Sequence, residues 1–308
     1  MYNEANLPLI SIITVNYKQT EVTIQLMDSL AKCTYPNFEI IVVDNGSNQG
    51  LESIFKSSYP HVKCIKSIPN LGFAGGNNLG IEIAKGKHIL FINNDTEVKP
   101  DFLQPMVELL ENDSSIGLVS PKLIYFDTEN LIQYAGSTGI NPYTGRGEKI
   151  GSFQKDNGQF NDVRETQLGH GAAMMIPMDV IKKVGMMPDI FFLYYEEHDW
   201  CEAIKRAGYK VFYTGKSVVY HKESVSVGRT SPLKTYYMAR NRVLYLRRNN
   251  KTGSLVTSLL FFVLLTIPKT TITHLIKAQW EHLQAFYKGV FWNLSHHNVH
   301  GFPVLKNA

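Results

Sequence analysis

At 308 residues, with 44% hydrophobic and 19% charged side chains, the chain has ordinary globular composition and room for one large domain, alone or with an appendage. Its net charge of +4 is mild and no nucleic-acid-binding module is legible, so nucleic acid is excluded as a partner; the local run of Arg240, Arg242, Arg247, Arg248 and Lys251 suits phosphate or an anionic membrane surface. Cys33, Cys64 and Cys201 are widely spaced and odd in number, which excludes a disulfide frame or zinc site, and no basic segment precedes an apolar run at the N-terminus, so a reducing, cytoplasmic location is expected.

In chain order, residues 9–15 predict a first strand, and Thr20 caps a helix with Ile24, Leu26, Met27 and Leu30 at helical spacing. Residues 38–43 predict a second strand that delivers Asp44 at its carboxyl end, where it either grips a nucleotide or caps a turn. A third short strand at 62–66 leads to Asn70-Leu-Gly-Phe-Ala-Gly-Gly-Asn-Asn-Leu-Gly80, whose glycines let backbone approach a ligand while a helix starting near Gly75 aims N–H groups at it. Neither the P-loop nor the dinucleotide-binding spacing is present, which removes the main support for an ATPase or a dehydrogenase. Residues 88–92 are apolar without alternation and predict a buried parallel strand that ends in Asn93-Asn-Asp-Thr-Glu97. Asp95 and Glu97 at such a strand end suit Mg²⁺ or Mn²⁺ shared with substrate phosphates; a plain turn with a solvated Glu is the alternative. Four β–α steps in the first hundred or so residues indicate a doubly wound sheet.

Residues 120–165, rich in Gly, Asn, Asp and Tyr, predict hairpins and mobile loops of the kind that often carry binding functions. Gly169-His-Gly-Ala-Ala-Met-Met-Ile176 reads as a loop entering a buried strand, with His170 either structural or in direct contact with ligand. Glu196, Glu197 and Asp199 open a helix ended by Gly208; the helix dipole alone explains acid there, but three carboxylates on one turn beside aromatic rings also raise at least one pKa toward that of a general base. Strands at 209–213 and 218–221 follow, with His221 at a strand end outside the sheet. Arg240, on the next helix, either pairs with a phosphate or belongs to a solvated basic face.

Residues 255–267 form a thirteen-residue apolar run before Pro268, short of the roughly 20 residues needed to span a bilayer. With Trp280, Tyr287, Trp292, Lys277 and Lys288 beyond it, the segment reads as an interfacial amphipathic element peripheral on the cell membrane, or as a buried helical hairpin at a homodimer interface.

Ile13-Thr-Val-Asn-Tyr17, Tyr35-Pro-Asn-Phe-Glu-Ile-Ile-Val-Val-Asp-Asn-Gly-Ser47, Asn70-Leu-Gly-Phe-Ala-Gly-Gly-Asn-Asn78, Phe91-Ile-Asn-Asn-Asp95, Phe191-Phe-Leu-Tyr-Tyr-Glu-Glu-His-Asp-Trp200, Tyr220-His-Lys-Glu-Ser224 and Arg240-Asn-Arg242 together resemble family 2 glycosyltransferases of the GT-A fold, in particular the rhamnosyltransferase-like branch. The resemblance implies an α/β, Rossmann-like, mostly parallel sheet flanked by helices in a catalytic domain at 1–250, with a nucleotide-binding half at 1–119 and an acceptor and catalytic half at 120–250, followed by a C-terminal helical segment at 251–308. It implies an inverting, metal-dependent transfer of a sugar, rhamnose favoured, from a dTDP- or UDP-linked donor to a hydroxyl of a glycan or lipid-linked acceptor. Asp44 would bind the pyrimidine base, with Thr14, Asn16, Tyr17, Asn45, Gly72, Phe73, Asn77, Asn94 and Arg240 as further nucleotide contacts. Asp95, Glu97 and His221 would hold Mg²⁺ or Mn²⁺, although Asn93 and Asn94 stand where acids are usual. Glu197 would be the base, with Asp199 and Glu196 as the alternatives, and Ser226-Val-Gly-Arg-Thr230 would close over the donor. A non-catalytic nucleotide-sugar scaffold and, less well supported, a nucleotidyltransferase are the competing readings.

Overall fold

A computed structural model describes residues 7–47, 50–223, 230–296, 301–303 and 305. Strand β1 (Ile10–Asn16), helix α1 (Thr20–Leu30), β2 (Phe38–Asn45), α2 (Leu51–Ser58), β3 (Val62–Ser67), α3 (Gly72–Ile83) and β4 (His88–Ile92) form the first half. There β1 lies between β2 and β4, parallel to both, so the direction of winding reverses at β1. That reversal opens a crevice beyond the carboxyl ends of β1 and β4. Alternate residues along each strand feed opposite faces. Ile12, Val42 and Leu90 face one apolar cluster with Leu26 and Met27, whereas Ile13, Ile41 and Phe91 face another with Ala74 and Ile81. Both faces are therefore covered, which is why the strands read as continuous apolar runs. On the second face α3 lies against β1 so closely that a Cβ at Gly80 would stand 2.4 Å from Ile13 Cγ2.

The second half continues with β5 (Thr96–Val98), α4 (Leu103–Asn112), β6 (Ile116–Tyr125), β7 (Ile132–Tyr134), β8 (Val163–Glu165), β9 (Ala173–Pro177), α5 (Met178–Val184), α6 (Glu196–Arg206) and β10 (Lys210–His221). The sheet order is β3-β2-β1-β4-β9-β6-β10-β5, with β7 on β6 and β8 on β10. Beyond β4 it is mixed: β9 runs antiparallel to both β4 and β6, and β10 runs parallel to β6 and antiparallel to β5. The β5–β10 register sets His221 opposite Thr96, next to Asp95.

Helix α7 (Pro232–Asn249) is followed by α8 (Thr252–Phe261), a π turn over Phe262–Thr266, α9 (Ile267–Ile276) and α10 (Trp280–Ser295). Pro268 does not end the apolar helix as the sequence predicts. The rod runs unbroken through 25 residues, Thr252–Ile276, and is long and apolar enough to cross a membrane. A proline ring collides with the carbonyl four residues earlier, and the widened π turn just upstream relieves that collision without breaking the rod. Only 17% of the apolar window is buried, and Leu264, Ile272 and Ile276 are exposed.

Candidate functional site

The crevice floor is built where β1 and β2 end side by side, with Asn16 paired to Asp44. The buried Asp44 carboxylate accepts hydrogen bonds from the Ser47 backbone N–H at 3.2 Å and from the Ser47 hydroxyl. Asn16 donates to Ser47 Oγ at 3.2 Å and accepts from Thr23 Oγ1 at 3.0 Å, while Asn94 Nδ2 donates to Thr23 Oγ1 at 3.0 Å. One polar network thus locks the ends of β1, β2 and β4 together. Tyr17 lies just past it, half-buried, with the Lys18 ammonium 5.1 Å from its ring. Thr14 is two residues inside β1 and fully buried, so the structure does not bring it to the crevice.

Several expected nucleotide contacts brace the glycine loop instead. Asn45 donates to Asn70 Oδ1 at 3.0 Å and to the Gly72 carbonyl at 2.9 Å, and accepts from Leu71 N–H at 2.9 Å. Helix α3 starts at Gly72, not Gly75, and its first amides are already taken: Gly72 N–H by Asn70 Oδ1 at 2.8 Å and Phe73 N–H by the Phe192 carbonyl at 2.7 Å. Asn77 is buried and bonds back to the Phe73 carbonyl at 2.9 Å. Gly72 has φ +73°, and a Cβ there would lie 2.2 Å from the Phe192 carbonyl oxygen. Its glycine is required by protein packing. Arg240 is likewise neither solvated nor aimed at the crevice: it donates to the Ile190 carbonyl, and its guanidinium stacks 4.0 Å from the Trp292 ring, bolting α7 to α10.

On the opposite wall Asp95 Oδ1 lies 3.1 Å from His221 Nε2. His221 Nδ1–H donates to Gln133 Oε1 at 2.7 Å, which leaves the Nε2 lone pair facing Asp95, with Asn93 Nδ2 at 3.4 Å. Two electron-pair donors facing each other must be bridged by a proton or a metal cation. Their separation is also close to that of adjacent corners of an octahedron with arms of about 2.1 Å, so this pair fits Mg²⁺ or Mn²⁺. Glu97 is not part of it. Its carboxylate meets Lys222 Nζ at 2.8 Å, and among the described residues no group of three His, Cys, Asp or Glu is gathered.

The third wall is the start of α6. Phe192, Tyr194 and Tyr195 all have positive φ (63°, 69° and 77°), a costly conformation for bulky residues that clusters at functional sites. Asn241 holds this turn: its Nδ2 reaches the carbonyls of Phe191, Leu193 and Tyr194 at 2.9, 2.7 and 2.8 Å. The turn presents three acids with three different fates. Asp199 is fully buried and gripped by Arg248 and by Asn249 at 2.6 Å, which makes it a structural ion pair and removes it as a base. For Glu196, burial and the neighbouring Glu197 charge push the carboxyl well above its ordinary range. For Glu197, burial also pushes upward, but His198, whose Nδ1 is 3.2 Å from Oε1, and Lys149 outweigh it, so the carboxyl is lowered and stays ionised.

Between the two walls stands His170. Its Nδ1 accepts from Ala172 N–H at 3.1 Å, its Nε2 is 3.0 Å from Lys149 Nζ, and its ring centre is 6.2 Å from that of His221. Burial and the nearby Lys149 charge hold it well below the ordinary histidine pKa, hence neutral. Lys149 comes from the ribbon in which Ser137 pairs with Lys149. The side chain is exposed, yet the protein packed around it partly desolvates its ammonium, which lowers its pKa against the pull of Glu223 and Glu197. Gln133 and Lys149 carry no sequence signal beyond being polar residues near turns, and Asn241, although inside the Arg240-Asn-Arg242 motif, has no role of its own readable there. Residues 226–229 of the expected closing segment lie outside the described residues.

The Glu196 shift has a consequence for stability. Its folded-state pKa is raised, so its contribution is fully present below about pH 4.5 and is lost as the pH climbs toward the raised value. Glu196→Gln, which cannot ionise, should therefore melt above the wild type by a margin that widens as the pH rises from about 5. A flat or shrinking margin would contradict the assignment.

Residues 11–185, more than half of the chain, match the profile described as "Glycosyl transferase family 2". The chain belongs to glycosyltransferase family 2. Among curated relatives of this glycosyltransferase is the low-salt glycan biosynthesis hexosyltransferase Agl10 of Haloferax volcanii, 26% identical over 240 residues, covering 76% of this chain and 74% of the relative. Another is the uncharacterized protein y4gI of Sinorhizobium fredii, 29% identical over 259 residues; the match takes in 80% of this chain but only 28% of that protein. Among solved structures, GalNAc-T7 with UDP, GalNAc and Mn²⁺ superposes with a TM-score of 0.66 at 16% identity, over 96% of this chain and 59% of that one. The glycosyltransferase therefore has the GT-A fold.

Proposed function

We propose that this glycosyltransferase catalyses an inverting transfer of a sugar from a nucleoside diphosphate donor to a hydroxyl of a growing surface polysaccharide or lipid-linked glycan. The observation that carries the reading is the division of labour across the crevice: one carboxylate, Glu197, kept ionised on one wall, and the Asp95–His221 pair on the other. Asp44, with Tyr17 nearby, binds the base at the end of β2. Glu197 takes the acceptor proton as the acceptor oxygen attacks the anomeric carbon, and a single substitution inverts that carbon. Asp95 and His221 would hold Mg²⁺ or Mn²⁺, which when bound neutralises the leaving diphosphate. A resident Mn²⁺ in the similarly folded GalNAc-T7 structure supports that reading. The sequence resemblance favours rhamnose from a dTDP donor, whereas UDP-hexoses offer Asp44 the same pyrimidine edge.

Thermal shift against dTDP, UDP, GDP and ADP, each with and without Mn²⁺, tests the donor site, because a ligand that binds only the folded state raises the melting temperature. A rise with dTDP or UDP that Mn²⁺ enlarges, with the enlargement lost in Asp95→Ala, is expected. An enlargement that is unchanged in Asp95→Ala would remove Asp95 from the metal site, and no rise with any nucleotide would count against a nucleoside diphosphate donor.

We also propose that the exposed rod Thr252–Ile276 rests on the cytoplasmic face of the membrane, where lipid-linked acceptors are presented. Flotation with anionic lipid vesicles is expected for the full chain and should be lost in Leu264→Glu/Leu265→Glu, both exposed positions, with no change in melting temperature. Loss of a dimer in that variant, with no vesicle binding by the wild type, would instead make the rod a subunit interface.

A further inference from the structure

Lys149 is poorly explained as a structural residue. Among the described residues no carboxylate lies within ion-pair distance of it, and its one hydrogen-bond-range neighbour is His170 Nε2 at 3.0 Å. That neighbour cannot satisfy it. Because His170 Nδ1 accepts the Ala172 N–H, the hydrogen of the neutral ring is on Nε2, and it faces the Lys149 ammonium. Two donors therefore converge on one point and lack a common acceptor. The point lies between the two working walls: the His170 ring approaches that of His221, which meets Asp95, while Gly171 lies against Glu197, whose carboxylate acts electrostatically on Lys149.

Most other cations of the region are committed elsewhere; Lys234, whose charge also acts on Lys149, lies 5.7 Å from the Tyr194 ring centre. Lys222 is paired with Glu97, Arg248 with Asp199, Arg242 donates to the Thr144 carbonyl, and Arg240 is stacked on Trp292. At the Asp95 wall, Asn93 and Asn94 supply no charge and Glu97 is turned away, so the metal pole is thin.

We infer that Lys149, together with His170 Nε2–H, binds the diphosphate of the donor and takes up the negative charge that appears on it as the sugar leaves. The inference rests on the glycosyl-transfer reading above. In that step the acceptor oxygen forms the new bond to the anomeric carbon, and its proton passes to Glu197. The bond from that carbon to the β-phosphate oxygen breaks, and its electron pair stays on the diphosphate. Lys149 and His170 donate hydrogen bonds to the anion so formed, without metal and without a change in their own protonation.

Calorimetric titration of the full chain with the tightest binder among UDP, dTDP and GDP, and with its monophosphate, tests this in Mn²⁺ and again in EDTA. Lys149→Met should weaken the diphosphate by about tenfold or more in both media and leave the monophosphate unchanged, as expected for loss of a charge-assisted hydrogen bond. Lys149→Arg should recover most of the affinity, and the melting temperature should not move. Equal weakening of both ligands, or none, overturns the role of Lys149 while leaving the transferase reading intact. A wild type with no preference for diphosphate over monophosphate overturns both.

Discussion

Glu197→Gln should lower the rate of sugar transfer by about 10²–10⁴-fold, the usual contribution of a positioned base, and leave donor affinity and melting temperature nearly unchanged. The amide keeps the shape of the carboxylate and its proximity to His198, but it has no lone pair basic enough to take the acceptor proton. Its neighbour cannot substitute. Burial, the larger cause, and the Glu197 charge push the Glu196 carboxyl well above its ordinary range, so it releases its proton less readily than Glu197 does. Asp199 is committed to Arg248 and Asn249. The three positions therefore separate cleanly: Glu197→Gln loses turnover, Glu196→Gln gains stability at high pH, and Asp199→Asn loses stability. Turnover measured by release of nucleoside diphosphate gives the comparison. A Glu197→Gln enzyme with more than about a tenth of wild-type turnover, or a Glu196→Gln enzyme equally crippled, would move the base elsewhere.

The largest effect on stability is expected at the Asp199–Arg248 pair. Arg248 Nε lies 3.0 Å from both carboxylate oxygens and Nη2 2.9 Å from one; the Asp199 side chain is fully buried and that of Arg248 is 4% exposed. Removing one partner of such a pair leaves a charge with no water and no counter-ion, which costs about 3–5 kcal/mol. Arg248→Ala should lower the melting temperature by on the order of 10 °C for a domain of this size. Desolvation of the orphaned charge, more than loss of attraction, causes the damage. The double variant Asp199→Asn/Arg248→Met should therefore be more stable than Arg248→Ala alone, and a double variant that melts lower still would show that packing dominates.

The first four strands were legible because each is apolar on both faces, and the crevice was legible because Asp44 and Asp95 interrupt those runs abruptly. Polar residues nearby were harder to place. An asparagine that donates to backbone carbonyls, as Asn45 does, has the same one-letter context as one that meets a ribose, and only the path of the 70–72 loop distinguishes them. Thr14 was misplaced by position along the strand, two residues short of the opening. Glu97 was misplaced because the chain that carries Lys222 arrives from 125 residues away, and pairing with it turns the carboxylate from Asp95. Pro268 read as a stop because sequence periodicity does not show a π turn. Lys149 stood alone among turn residues, and nothing local distinguished it from a solvated lysine until the ribbon brought it to His170.

The place of β10 in the sheet bears on where this chain can be cut. The stretch that carries the family profile stops at residue 185, before α6 and before β10, yet β10 fills the gap between β6 and β5 and brings His221 to Asp95. Asn78, on α3, is also tied in both directions to Met187, at 2.8 and 3.0 Å. A fragment ending at 185 would leave the flank of β6 open to pairing with another copy, strip α3 of its brace and separate the acid of one wall from its histidine. The stretch that matches the family profile is thus shorter than the stretch that closes the sheet, and cutting at its end exposes a strand edge prone to aggregation.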